Sequence, residues 1–150
     1  MKEHPHSDLT SFGKAVPPRL HVELPLAEEA IEAGFPSPNG GYIDGGLDVN
    51  EFLVQHPENT FIYRVSGESM IEAGILPGDY VLVDNSSPVR NLDIVVASID
   101  GEFTVKQLSL GPPRRLLPCN RDFPPLEIAE FSEVKIIGPV ISVVRRYHSS

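Results

Sequence analysis

Cysteine is almost absent from these 150 residues. Cys119 stands alone, so no internal disulfide can form. A lone thiol fits a reducing compartment, and the expected location is the cytoplasm. Long apolar runs are missing as well. No stretch approaches 18 consecutive apolar residues, which excludes a transmembrane helix. The first 20 residues lack the apolar segment of a secretory signal. Basic residues are scarce: 12 Lys and Arg face 21 Asp and Glu, a net charge of −9. Residues 42–105 hold the imbalance, with Arg64 and Arg90 against 11 acids, while residues 106–150 carry +3. Phosphate contacts dominate nucleic-acid affinity, so a chain this acidic is a poor direct binder of nucleic acid. The acidic middle serves solubility or steers the chain toward basic proteins. Metal and cofactor signatures are absent too. His4, His6, His21, His56 and His148 are dispersed, and none pairs at ligand spacing with Cys119. No phosphate-binding glycine loop or dinucleotide fingerprint occurs. Neither a metal nor a cofactor is expected.

Proline and glycine, in contrast, are plentiful, at 15 and 12 residues, which argues for short strands and turns over a helical bundle. Hydrophobic residues make up 41%, enough for the core of one ordinary domain. Residues 1–24 read as an irregular arm interrupted by prolines. Residues 26–33 (LAEEAIEA) have helical character, with Pro25 before and Gly34 after them. Residues 34–47, with five Gly and two Pro, read as a linker. Asp48 then suits an N-cap with Glu51 as capping-box partner, in a short helix that turns Val49, Phe52 and Leu53 toward the body and stops at Pro57.

From residue 60 the pattern is β. Residues 61–66 and 80–84 are short β-branched and aromatic runs, separated by a turn at 76–79. Residues 92–99 and 102–108 flank Asp100-Gly101, the signal of a hairpin with a primed turn. Residues 115–118 are another short run, and 134–146 a long one broken or bulged at Gly138-Pro139. Strands without alternating helices predict a mainly β body.

Two places carry chemistry. Ser66-Gly67-Glu68-Ser69-Met70 directly follows a strand, where a serine hydroxyl is exposed and backbone N–H groups can face a reacting oxygen. A serine in such a turn is also an ordinary turn residue. Lys106 lies in the strand 103–108, where alternation puts Thr104, Lys106 and Leu108 on one face and Phe103 and Val105 on the other. A lysine there either snorkels to the surface or sits in a dry site. In water its pKa is about 10.4. Desolvation disfavours the ammonium, and a neutral amine can take a proton from a serine hydroxyl. His56 could serve a triad by composition, but its place before Pro57 reads as a surface loop.

Tyr63-Arg64-Val65-Ser66-Gly67-Glu68-Ser69-Met70, the turn Gly74-Ile75-Leu76-Pro77-Gly78-Asp79 and the run Val81-Leu82-Val83-Asp84 resemble the LexA/UmuD family of self-cleaving Ser-Lys peptidases. Asp93-Ile94-Val95-Val96-Ala97 and Asp100-Gly101-Glu102-Phe103-Thr104-Val105-Lys106 resemble the second block of that family, and the Ser69-to-Lys106 spacing fits. The likeness covers residues 33–145. Ala33-Gly34-Phe35-Pro36-Ser37-Pro38 and residues 48–57 resemble the UmuD branch most. Only 33 residues precede Gly34, too few and too proline-rich for the helix-turn-helix domain of the repressors.

The resemblance implies a distorted, antiparallel β-barrel-like catalytic domain over 48–150, behind an arm (1–33) removed by cleavage and a linker (34–47). It implies Ser69 as nucleophile, Lys106 as general base, Ala33-Gly34 as the scissile pair and backbone N–H groups of Glu68 and Ser69 as the oxyanion hole. The residue before the bond is Ala33, where the UmuD branch often has Cys and LexA has Ala. The resemblance further implies a homodimer, stimulation by a RecA–single-stranded DNA filament, and service as accessory subunit of a UmuC-type translesion polymerase. A non-catalytic scaffold and a processing peptidase related to signal peptidases are the other readings. The former predicts no effect of Ser69→Ala, and the latter lacks a membrane segment.

Overall fold

The computed structural model describes residues 9–14, 22–34, 36, 38 and 40–148. The remainder of the expected irregular arm, residues 1–8 and 15–21, lies outside the described residues. The chain divides into two units, residues 17–55 and a larger one that holds strand β1 (Leu9–Lys14) and everything from His56 on.

The smaller unit contains β2 (Leu24–Ala27), β3 (Tyr42–Leu47) and helix α1 (Val49–Leu53). The helix expected over residues 26–33 is not formed. Leu26 pairs with Ile43 and Ala27 with Tyr42 across an antiparallel ribbon, and Glu28 N–H donates to Gly41 O at 2.9 Å. An eight-residue helix is too short to hold itself together in water, so strand pairing takes the backbone of its first residues. The same pairing makes a strand of residues 42–47 in place of the expected linker. Asp48 caps α1 as expected, its Oδ1 accepting from Asn50 N–H at 3.0 Å and Glu51 N–H at 3.2 Å. Val49 and Phe52 do not turn inward; both are exposed. Asp48 is the one buried residue among those described in this unit, which is too small to offer them a core.

The larger unit is an antiparallel sheet built from β1, β4 (Thr60–Val65), β5 (Tyr80–Asp84), β6 (Ile94–Ile99), β7 (Glu102–Ser109), β8 (Arg115–Leu117), β9 (Leu126–Glu127) and β10 (Val134–Val144). The order is β1-β4-β5-β10-β6-β7-β8-β9. The fold is the mainly β, antiparallel one expected, and it is not a closed barrel. Asp100 and Gly101 make the β6–β7 turn with φ of 48° and 88°, the left-handed pair that a primed turn requires.

Strand β10 joins the two halves of the sheet. Val134 to Pro139 pair with β6, and Val140 to Val144 pair with β5. The register slips between Ile136 and Gly138. A Cβ at Gly138 would lie 2.8 Å from the Asp84 carbonyl oxygen, so the crossing point of the strand demands glycine.

Alternation along the strands sorts the core into two clusters. Val95, Ala97 and Ile99 of β6 pack with Leu108 and Leu116, whereas Val96 packs with Tyr63, Val65, Val81, Val83 and Val105. Among the described residues no helix is long and apolar enough to cross a membrane.

Candidate active site

The turn after β4 carries Ser69, and its neighbours explain why it is rigid. Met70 is 1% exposed and anchors the turn in the apolar cluster of Tyr63, Val65, Val81 and Val83. The Met70 carbonyl accepts from Ala73 N–H at 3.0 Å and Ile75 N–H at 3.3 Å. From the other direction, Cys119 N–H donates to Ser69 O at 2.8 Å, and Glu72 N–H donates to Cys119 O at 2.7 Å. The end of the loop is closed by Asp79. Its carbonyl accepts from Val65 N–H at 2.8 Å, while its carboxylate accepts from Leu76 N–H and from Arg145.

Lys106 reaches this turn from β7. Its strand position places Lys106 opposite Val95 and Thr104 opposite Ala97, so both side chains leave the sheet on one face. Lys106 Nζ shares a hydrogen bond of 2.9 Å with Ser69 Oγ. It also donates to Thr104 Oγ1 at 2.8 Å and to the Val105 carbonyl at 3.1 Å. Lys106 and Ser69 are each 4% exposed and Thr104 is fully buried. The two residues singled out in the sequence, 37 positions apart, thus meet in one dry site. Alternation predicts that Thr104 shares the face of Lys106, and the structure adds its bond to the amine. The period-2 spacing of Thr104 and Lys106 is the signal for it.

Glu68 lies beside Ser69, and its carbonyl accepts from Asn120 Nδ2 at 2.9 Å. Ala33 and Gly34 lie in the segment between β2 and β3, outside any helix or strand, and both are exposed. His56 does not belong to the serine's constellation. Its Nδ1 pairs with Asp84 Oδ2 at 2.6 Å. That bond and the Asp84 charge raise the His56 pKa above its ordinary value. Burial, followed by the nearby Glu72, pushes the Cys119 thiol up, with Lys106 opposing. The thiol therefore stays protonated at neutral pH and is no rival nucleophile. No group of three or more His, Cys, Asp or Glu able to hold a metal occurs among the described residues.

A serine hydroxyl bonded to a buried amine is equipped for acyl transfer, with the amine as base. Comparison with known proteins points to a peptidase. Residues 25–141 match the family described as Peptidase S24-like. The chain is 45% identical to Protein MucA of Escherichia coli over 123 residues, covering 81% of this chain and 84% of that protein. It is 42% identical to Protein ImpA of Salmonella typhimurium over 122 residues, 81% of this chain and 83% of the relative. It is 38% identical to the LexA repressor of Carboxydothermus hydrogenoformans over 133 residues, 87% of this chain and 63% of the repressor. The chain therefore belongs to the S24-like peptidases, the LexA/UmuD family of self-cleaving enzymes.

Proposed function

We propose that this protein is a serine endopeptidase that cuts its own chain between Ala33 and Gly34 with a Ser69–Lys106 dyad. The observation that carries the reading is the 2.9 Å hydrogen bond between Lys106 Nζ and Ser69 Oγ in a site closed to solvent. Removal from water disfavours the ammonium form. A neutral amine has two N–H bonds and one lone pair. Thr104 Oγ1 and the Val105 carbonyl receive the N–H bonds, so the lone pair is directed at the serine hydroxyl.

The reaction runs in two halves. The Ser69 proton passes to Lys106 Nζ as Oγ bonds to the Ala33 carbonyl carbon. The oxyanion is held by the backbone N–H groups of Glu68 and Ser69. Collapse breaks the Ala33-Gly34 C–N bond, and the Lys106 ammonium returns its proton to the departing Gly34 amine. Lys106 then deprotonates a water that hydrolyses the Ser69 ester. The products are residues 1–33, with the new carboxylate on Ala33, and residues 34–150.

Gly34 supports this assignment. A Cβ there would meet nothing within 4 Å, so local packing does not require glycine, whereas close approach of a nucleophile to the bond does. The exposed, irregular backbone around Ala33 can be drawn out into the extended form that a peptidase binds.

The domain division follows: an arm of 1–33 lost on cleavage, a connecting segment of 34–47 and the peptidase body of 48–150. In the cell, we infer, the protein is a cytoplasmic homodimer of the DNA-damage (SOS) response. Cleavage is stimulated by a RecA–single-stranded DNA filament, and the shortened product is the accessory subunit of a UmuC-type translesion polymerase. The net charge of −9 fits partner proteins better than direct contact with DNA.

Intact mass after incubation at pH 7 and about pH 10 tests the reading, beside Ser69→Ala and Lys106→Ala. A pH near the aqueous lysine pKa supplies the neutral amine without an activator. The expected result is the 34–150 fragment from the unmutated chain alone. Absence of the fragment even with RecA filaments overturns the peptidase reading.

A further inference from the structure

Asn120 has no part in the chemistry above, yet it is 7% exposed and its side-chain amide reaches the nucleophile's turn. Its Nδ2–H donates to the Glu68 carbonyl, 52 positions away in sequence, at 2.9 Å. Its Oδ1 accepts the Asp122 N–H at 3.0 Å. One residue earlier, Cys119 N–H holds the Ser69 carbonyl at 2.8 Å. The carbonyls of both peptides flanking the Ser69 Cα are thus pinned by one strap.

The consequence lies on the opposite edge of those peptides. A trans peptide is planar and directs its N–H away from its C=O. Pinning the Glu68 carbonyl therefore sets the direction of the Ser69 N–H. The other bond to that carbonyl, from Ile71 N–H at 3.3 Å, arises inside the turn and is long. Asn120 supplies the shorter bond, from outside the turn.

We propose that Asn120 is a positioning residue for the oxyanion hole. Its amide prevents rotation of the Glu68-Ser69 peptide and keeps the Ser69 N–H aimed at the oxyanion formed on the Ala33 carbonyl. It touches no reacting atom. The inference rests on the self-cleavage reading above. An oxyanion-hole donor is worth about 10²–10³-fold in rate, so a misaimed one costs a large part of that.

The test is the self-cleavage rate of the full chain from pH 7 to 11 for the unmutated protein, Asn120→Ala, Asn120→Asp and Ser69→Ala. All are measured well below the thermal midpoint of each variant. Asn120→Asp keeps an acceptor for the Asp122 N–H but has no donor for Glu68. Both Asn120 variants are expected to cleave about 10–100-fold more slowly. The pH midpoint of the rate, which reports Lys106, is expected to stay in place for Asn120→Ala. Cleavage by Asn120→Asp at the unmutated rate would overturn the proposal, since the acceptor alone would then suffice. So would a loss in Asn120→Ala that arises only from a displaced midpoint. An unmutated chain that does not cleave refutes the parent reading, and this inference with it.

Discussion

Arg145 grips Asp79 across 66 positions of sequence, with Nε donating to Oδ1 at 2.6 Å and Nη2 to Oδ2 at 2.7 Å. The same Nη2 also donates to the Gly74 carbonyl at 2.8 Å. The Asp79 side chain is 1% exposed and that of Arg145 is 32% exposed. The bond from Arg145 holds the Asp79 carboxyl below its ordinary range. The loop that carries Ser69 is thereby tied to the residue that follows β10.

Arg145→Ala leaves a buried carboxylate without its cation. The expected loss is about 2–3 kcal/mol of stability, read as a lower urea midpoint. Arg145→Lys is expected to recover only part, because an ammonium cannot make the two parallel bonds. Equal midpoints for all three proteins would show that Asp79 is held by Leu76 N–H alone.

Lys106→Met separates chemistry from stability. A buried amine is costly to remove from water, and a methionine fills nearly the same volume. Cleavage is expected to disappear while the thermal midpoint stays level or rises. A fall equivalent to more than about 2 kcal/mol would mean that the amine is chiefly a structural partner of Thr104 and Val105.

The His56–Asp84 pair predicts a pH window. His56, whose side chain is half exposed, has a pKa raised above 6.5, so its contribution is full below pH 6.5 and fades as pH rises through the raised value. Glu58 adds slightly to that rise. Burial pushes the Asp84 carboxyl up, but bonds from Ser86, His56 and Ser87 outweigh it and hold the group below 3.8. Its contribution is present above pH 3.8 and is lost as pH falls through the lowered value. The stability lost in His56→Ala is therefore expected to be larger at pH 5.5 than at pH 9, by urea unfolding. A loss that grows toward pH 9 would rule out an ionic pair.

Gly34→Glu tests the proposed cleavage at Ala33-Gly34 without disturbing the fold. An added side chain meets open space, so the unfolding free energy, read by urea titration, is expected to stay within about 0.5 kcal/mol of the unmutated value. On the proposed reading, self-cleavage is expected to fall at least about 100-fold, because a bulky charge would have to enter the space next to Ser69. Cleavage at the unmutated rate, followed by intact mass, would move the cut elsewhere.

Local chemistry made much of the body readable. Residues 80–84 form the expected strand, Asp100-Gly101 makes the expected turn and Asp48 caps the expected helix. Each of these depends on neighbours a few residues away, and so each is written in the local sequence. The short strands β1, β2, β3 and β9 were not read. They are two to six residues long, and the backbone there follows a pairing partner, not an intrinsic preference.

Ser69 and Lys106 were found through motif and residue type, yet their contact is a product of topology. Ser69 follows β4 in one half of the sheet and Lys106 belongs to β7 in the other, and β10 joins the halves by pairing with both β5 and β6. The grip of Arg145 on Asp79, the pairing of His56 with Asp84 and the bond from Asn120 to Glu68 arise in the same way. Sequence alone determined the residue types, the turns and the strands that can pair. Tertiary structure decided which strands pair and in what register, because contacts between residues distant in sequence form cooperatively and only once the strands are in register.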